Sequence, residues 1–340
     1  MIELNFPNPV SSPRDYFGRE AERGLVHDLL ARDAARIPVL LGERKIGKTS
    51  TLNVLEGEYT GWARSIRLPH RHTVEGFLQE LANGVHSILY DPFASPPGQP
   101  LVMPPDRPDR TQVLDLVRRL AAREGRPLVF VVDELDSLLE HSAPEAREGI
   151  VRLLLALRQE GGGVVRYLFT MSRVDEMIPP ALRSDFREAV HLIPLRPWSR
   201  EELGAFLRGV LAPHCRVEVG AQEVLFREAG GHPYFTKAIL HLLLESRRGD
   251  EEEGCRVGRE EVLAAVDRLP TLPEVRLTVQ NLFRVHFDAV EHAVLRDVAA
   301  GRPVEGEVAA RLVARGYLRP EGDGYRLRVG LLERWLAGKV

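Results

Sequence analysis

The chain has 340 residues, which at about 150 residues per domain allows two or three domains. Hydrophobic residues at 44% and charged residues at 28% exclude wholesale disorder. No run of about 18 apolar residues is present to cross a membrane, and a net charge of −3 argues against a surface that grips nucleic acid throughout.

Met1 to Val10 lacks a basic start and an apolar core, so no signal peptide is read there. Ile37 to Leu41 is a short apolar run ending in Gly42, which predicts a buried strand entering a tight turn. A helix is expected from Lys48 to Glu56 and a second strand over Trp62 to Leu68. Val74, Phe77, Leu78, Leu81 and Val85 have helical spacing. The proline-rich stretch from Asp91 to Arg110 reads as a surface excursion, and a helix follows over Thr111 to Arg123. Leu128 to Val132 is five apolar residues in succession, the pattern of a strand buried on both faces. Beyond it a helix over Glu148 to Gln159, a strand over Val164 to Met171, a short helix near Pro180 to Arg187 and a strand over Val190 to Leu195 are expected. Strands alternating with helices at this rhythm predict an α/β core, a parallel sheet with helices on both faces.

The alternation stops at Pro197. Helical periodicity follows over Arg200 to Leu211, Ala221 to Glu228, Tyr234 to Glu245 and Arg259 to Leu269, with a charged loop from Arg247 to Gly258. The last stretch predicts helices over Ala289 to Ala299 and Glu305 to Arg315. A hairpin joined by Pro320-Glu321-Gly322-Asp323-Gly324 follows, and a final helix over Leu331 to Ala337. Helix, helix, hairpin is the outline of a winged helix. The expected divisions are a core over 13–197, a helical domain over 198–270 and a winged helix over 271–340.

Two cysteines, Cys215 and Cys255, are too few for a disulfide framework or a zinc site, so a reducing cytoplasm is the natural compartment. Only Lys45, Lys48, Lys237 and Lys339 are lysine, against 42 arginines. Codon bias accounts for the ratio, but two lysines within four residues direct attention to their segment.

Gly42-Glu43-Arg44-Lys45-Ile46-Gly47-Lys48-Thr49 satisfies G-x-x-x-x-G-K-[ST] between a predicted strand and a predicted helix. Glycines let the backbone wrap a phosphate so that successive N–H groups and a helix N-terminus face it. Lys48 would reach the β- and γ-phosphates, and the Thr49 hydroxyl would ligate Mg²⁺, with Arg44, Ile46 and Ser50 completing the segment. Lys45 is either a further phosphate partner or a solvated loop charge. Leu128 to Val132 delivers Asp133 and Glu134 at the edge where parallel sheets hold ligands. Asp133 suits the Mg²⁺ shell, and Glu134 suits a general base that polarises water. The alternative for both is acid decoration of a helix N-terminus. The next strand ends in Thr170-Met171-Ser172-Arg173. The Arg173 fork matches phosphate oxygens, or else it is one exposed arginine among many. Arg183 and Arg187 precede the last strand, where an arginine finger reaching into a neighbouring molecule could sit; surface charge is the plainer reading.

Tyr16-Phe17-Gly18-Arg19-Glu20, the phosphate loop, Val132-Asp133-Glu134, Thr170-Met171-Ser172-Arg173 and Gly231-His232-Pro233 occur in an order that resembles the STAND-type P-loop ATPases. The likeness is to the prokaryotic AAA-like or archaeal-ATPase branch, near the origin-recognition AAA+ ATPases, and it runs from about Phe17 to Leu336. The resemblance implies a P-loop NTPase core, an α-helical lid and a C-terminal winged helix. It also implies ATP or ADP with Mg²⁺, slow hydrolysis, and a nucleotide state that controls conformation, self-assembly or partner binding. Phe17, Gly18 and Arg19 would lie against adenine and ribose, Arg173 would be the first sensor, and Pro233 with His232 would close over the base from the lid. Such proteins usually carry sensor repeats and an N-terminal effector; neither is read in these 340 residues, so the expectation is that another polypeptide supplies an effector or sensor. No Asn-Lys-x-Asp motif is present, which favours ATP over GTP.

Two other readings stand beside this one. A DNA-associated AAA+ ATPase, an initiator or transposition regulator, would bind duplex through the second helix of the winged helix. That helix carries Arg311 and Arg315 but also Glu305 and Glu307, and the hairpin carries Glu321 and Asp323, so the basic footprint is missing. The remaining reading is a nucleotide-binding scaffold with negligible turnover.

Overall fold

The computed structural model describes residues 6, 8–10, 16–32, 35–90, 104–174, 176–211, 215–246 and 256–337. The chain divides into two compact units: Arg19–Gly42 with Lys48–Leu195, and Met1–Gly18 with Glu43–Gly47 and Arg196–Val340.

The first unit begins with α1 (Glu20–Ala31), β1 (Ile37–Leu41), α2 (Lys48–Glu58), β2 (Arg64–Arg67) and α3 (Val74–Leu89). It continues with α4 (Arg110–Glu124), β3 (Leu128–Val132), α5 (Leu135–Glu140), α6 (Pro144–Glu160), β4 (Val165–Met171), α7 (Arg183–Ala189) and β5 (Val190–Pro194). The five strands are all parallel, in the order β2-β3-β4-β1-β5. Side chains alternate across a strand. Phe130, Val132, Tyr167 and Phe169 therefore enter one core with Phe77, Leu120 and Leu154 from α3, α4 and α6. The intervening Val129, Val131 and Leu168 are equally buried toward the opposite face, which is why β3 reads as an unbroken apolar run.

Local signals fix the helix ends. Thr73 caps α3 by accepting from the Gly76 N–H at 3.0 Å. Asp109 and Gln112 form a reciprocal box at the start of α4, which stops at Gly125 with φ 65°. The helix α1 was not anticipated, because its charged stretch has a weak apolar stripe. Most of the proline-rich stretch, residues 91–103, lies outside the described residues.

The second unit contains α8 (Arg200–Phe206), β6 (Arg216–Val217), α9 (Val219–Ala229), α10 (Pro233–Glu245), β7 (Arg256–Val257) and α11 (Arg259–Arg268). It ends with α12 (Pro273–His286), α13 (Ala289–Ala299), α14 (Glu307–Ala314), β8 (Leu318–Glu321), β9 (Gly324–Leu327) and α15 (Gly330–Leu336). One hydrophobic core runs through it from Trp198 to Leu332. The helix expected to continue to Leu211 changes to a π turn over Leu207–Leu211. The short strands β6 and β7 pair in parallel. The strands β8 and β9 form an antiparallel hairpin in which Glu321 pairs with Gly324, so its turn is tighter than the five-residue signal suggested. Cys215 is disulfide-bonded, and Cys255 lies outside the described residues.

No helix among the described residues is long and apolar enough to cross a membrane. None of those residues groups three or more His, Cys, Asp or Glu side chains in a way that could hold a metal.

Candidate nucleotide site

In the first unit, β3, β4 and β1 lie side by side, and each hands its next residues to the same carboxyl edge, where open parallel sheets hold ligands. After β1, Gly42 donates its N–H to Met171 O at 3.1 Å, and the chain turns through the phosphate-loop segment into α2. The turn needs left-handed backbone at Lys45, φ 65°, and at Gly47, φ 107°. Glycine meets that demand at no steric cost, whereas Lys45 adopts it against its preference.

At the first turn of α2 the buried Lys48 donates from Nζ to Gly42 O at 2.8 Å and to Ser172 Oγ at 3.0 Å. Thr49 Oγ1 donates to Asp133 Oδ2 at 2.9 Å. Asp133 Oδ1 accepts from Thr170 Oγ1 at 2.6 Å, and the same Thr170 oxygen accepts the Glu134 N–H at 2.7 Å. Asp136 accepts the Ser172 N–H at 2.8 Å, which ties the end of β4 to α5. Glu134 itself sits in left-handed conformation, φ 49° and ψ 51°, with an exposed side chain. Ser50 follows in α2, half-buried.

A hydroxyl, a carboxylate and an ammonium therefore converge within one hydrogen-bonded cluster, with a second, exposed carboxylate beside it. A hard divalent cation takes oxygen ligands, so the Thr49 hydroxyl and Asp133 carboxylate fit Mg²⁺, and the ammonium fits the phosphates that Mg²⁺ accompanies.

Arg173 is placed differently from its neighbours. Its guanidinium pairs with Glu140 at 3.0 Å and Glu176 at 3.4 Å, while Thr170 and Ser172 touch the motif residues. Sequence reasoning did not single out these two side chains, nor Asp136. The signal available was a threonine interrupting the apolar strand Tyr167-Leu168-Phe169-Thr170-Met171 at a buried position. Arg19 is buried, left-handed at φ 67°, and paired with Glu22 at 3.2 Å. Arg183 donates to Ile178 O at 3.2 Å, and Arg187 is exposed.

Within the second unit, Phe17 packs edge-on against Trp198 and Phe206, with centroids 6.1 and 5.6 Å apart. Gly18, like Gly230 and Gly231, has positive φ. Trp198 donates its N–H to Gly231 O at 2.8 Å. This close approach delivers the buried His232 to the start of α10, where its Nδ1 accepts the Tyr234 N–H at 3.3 Å. Pro233 takes the first helical position. The phosphate-loop segment of this unit meets the helical elements at two points. Lys45 Nζ lies 5.5 Å from the Tyr234 ring centre. Glu43 faces the residues before β8: burial first, then the Glu43 charge, push the Tyr317 phenol well above its ordinary range. Arg44 and Ile46 complete the loop, half-buried and buried respectively.

Residues 31–178 match the family model of an AAA domain. No curated relative matches the sequence. A Walker-type ATPase of Pyrococcus abyssi shares 16% identity at a TM-score of 0.66, covering 98% of this chain and 100% of its own. The ORC2 protein of Aeropyrum pernix, solved in ADPNP and ADP complexes, shares 14% at 0.57, covering 99% and 98%. Cdc6p of Pyrobaculum aerophilum shares 15% at 0.51, covering 96% of each chain. Over residues 31–178 the chain is therefore similar to AAA domains, and its parallel-sheet fold is the one seen in an archaeal Walker-type ATPase and in origin-recognition proteins.

Proposed function

We propose that this chain binds ATP with Mg²⁺ and hydrolyses it slowly, as a STAND-type, AAA+-like switch. The observation that carries the reading is the contact of Thr49 with Asp133 at 2.9 Å, beside a lysine of the phosphate loop and an exposed Glu134. Lys48 would neutralise the β- and γ-phosphates, Thr49 and Asp133 would hold Mg²⁺, and Glu134 would polarise the attacking water. Gly42 to Ser50 would cradle the phosphates with backbone N–H groups. The reading assigns Phe17, Gly18 and Arg19 to the adenine and ribose, and His232 and Pro233 to a lid. Arg173 would reach the γ-phosphate by exchanging Glu140 and Glu176 for it.

The domains in this reading are an ATPase core over 13–197, a lid over 198–270 and a winged helix over 271–340. Its switching half rests on two phosphate-loop residues, Lys45, whose Nζ lies 5.5 Å from the Tyr234 ring centre, and Glu43, whose carboxylate lies beside Gly316. A change at the loop would then be felt directly by helical and hairpin elements, and a hinge closing around a γ-phosphate is a common switching mode. The output would be self-assembly or binding of a protein that supplies an effector or sensor.

A duplex-binding reading is less supported. Arg311 pairs with Glu291 at 3.0 Å and Asp288 at 3.4 Å, and Arg315 pairs with Glu291 at 2.7 Å, so the arginine on α14 and the one that caps its end are neutralised internally rather than offered to phosphates.

The deciding experiment is ATP turnover with and without Mg²⁺, in wild type and Glu134→Gln. Turnover in the wild type that falls at least tenfold in E134Q, with labelled ATP still bound, is the expected result. Binding without turnover in either protein would leave a scaffold, and stimulation by duplex DNA at about 50 mM salt would favour the DNA-associated reading.

A further inference from the structure

The strands β2 and β4 flank β3 on its two sides, and each supplies one side chain to the peptide unit that joins Asp133 to Glu134. On the β4 side, Thr170 Oγ1 accepts the Glu134 N–H at 2.7 Å. On the β2 side, His70 Nε2 lies 2.6 Å from Asp133 O. A carbonyl only accepts, so His70 holds its proton on Nε2 and donates it. Both polar groups of this one peptide unit are therefore held by side chains from the neighbouring strands' exits.

That arrangement matters because Glu134 is in left-handed backbone, φ 49° and ψ 51°, a conformation that a side chain with a Cβ keeps only when its surroundings over-determine it. Rotation of the 133–134 peptide would relieve the residue and swing its Cα–Cβ bond away from the cluster of Lys48, Thr49 and Asp133. His70 is well placed to prevent this. The Leu68 N–H is bonded to Val131 O at 2.9 Å, Leu68 is buried, and Thr73 caps α3, so the segment bearing His70 is anchored at both ends. Two residues on, His72 Nδ1 lies 3.4 Å from Leu138 O, a second imidazole against the α5 segment that Glu134 opens.

We propose that His70 is a positioning residue for hydrolysis: its Nε2–H fixes the Asp133–Glu134 peptide so that the Glu134 carboxylate is presented to the attacking water. This rests on the ATPase reading above for its catalytic consequence, but the clamp itself is made entirely by the chain's own side chains. A base displaced by about an ångström loses on the order of tenfold to a hundredfold in rate.

The test compares His70→Ala with His70→Gln, whose side-chain amide can still donate at a similar reach. Two measurements are made: steady-state ATP turnover with Mg²⁺, and amide hydrogen exchange at Glu134 in protein without nucleotide. H70A is expected to lose kcat tenfold or more with KM for ATP within about twofold, and to accelerate exchange at Glu134. H70Q is expected to recover most of the rate and the protection. Unchanged kcat and unchanged exchange in H70A would overturn the proposal, as would an H70Q that is no better than H70A. If H70A does not fold, H70Q against wild type decides through exchange alone: protection kept supports the clamp, protection lost overturns it. If the wild type shows no turnover, the hydrolysis reading fails and the positioning role for hydrolysis falls with it; the exchange data then report only on the clamp.

Discussion

Thr49 Oγ1 and Asp133 Oδ2 are 2.9 Å apart, joining the first turn of α2 to the residue that follows β3. Thr170 donates to the other Asp133 oxygen at 2.6 Å, which ties the carboxylate to β4 and orients it while lone pairs remain for a cation. Asp133→Asn keeps the volume but gives up the charge. Under the proposed reading the Mg²⁺ concentration for half-maximal turnover should rise tenfold to a hundredfold, on the order expected when a metal site loses a supporting group, with ATP affinity in the absence of Mg²⁺ little changed. A magnesium titration of turnover in D133N that overlays the wild type would remove Asp133 from the metal shell.

Lys48 is buried and donates to Gly42 O and Ser172 Oγ, so it sits where a compact ammonium fits and a planar guanidinium does not. In a chain that otherwise chooses arginine, this is a position with a physical reason for lysine. Lys48→Ala and Lys48→Arg should both weaken ATP binding on the order of tenfold to a hundredfold, the worth of a charge-assisted hydrogen bond. Lys45→Ala, at an exposed residue, should cost less than about threefold. Equilibrium binding of a fluorescent ATP analogue distinguishes the three, and a K48R that binds like wild type would refute the steric argument.

Much of this site was legible from the sequence because its chemistry depends on spacing along the chain. Gly42 to Thr49 and Val132-Asp133-Glu134 announce themselves by a glycine pattern and by acids ending an apolar run. Thr170, Asp136 and His70 do not, because each acts across strands: Thr170 reaches Asp133 from β4, and His70 reaches Asp133 O from the exit of β2. Strand order decides such pairings, and the order β2-β3-β4-β1-β5 is not contained in local periodicity. The same limit explains Arg173, whose sequence position suggested a phosphate partner while Glu140, on α5, holds it in an ion pair. The helix α1 is hidden for a different reason, since it is rich in charge and its apolar stripe is weak; α12, by contrast, buries Val275, Val279, Leu282 and Phe283 at helical spacing, so its signal was present in the sequence.

Gly231 combines two constraints. Its φ is 73°, and an added Cβ would meet Trp198 O at 2.1 Å. Gly231→Ala should destabilise the second unit by about 2–5 kcal/mol, combining a left-handed cost of about 1–2 kcal/mol with overpacking of about 1–3 kcal/mol. Gly24 offers the contrast. It lies within α1 with nothing near its Cβ position, so Gly24→Ala should gain about 0.5–1 kcal/mol from helix propensity. Urea unfolding of both variants checks the pair; a G231A as stable as wild type would mean that the Trp198 segment yields freely.

Tyr167, on β4, is buried in the sheet's core, and its hydroxyl has no hydrogen-bond partner among the described residues. Burial raises its phenol far above the ordinary range. The folded pKa thus exceeds the unfolded one, so this contribution to stability is fully present below about pH 10 and is lost as pH rises above that, because only the unfolded chain can ionise there. Tyr167→Phe removes both effects. It should gain about 1 kcal/mol at pH 8, since a buried hydroxyl without a partner costs about 1–3 kcal/mol and the ring contacts with Phe130 and Phe169 are kept. It should also decline less steeply between pH 8 and 10.5, though not remain flat, because Tyr59 is buried and raised in the same unit. Denaturant midpoints at the two pH values measure this, and a Y167F less stable than wild type at pH 8 would show that the hydroxyl is bonded after all.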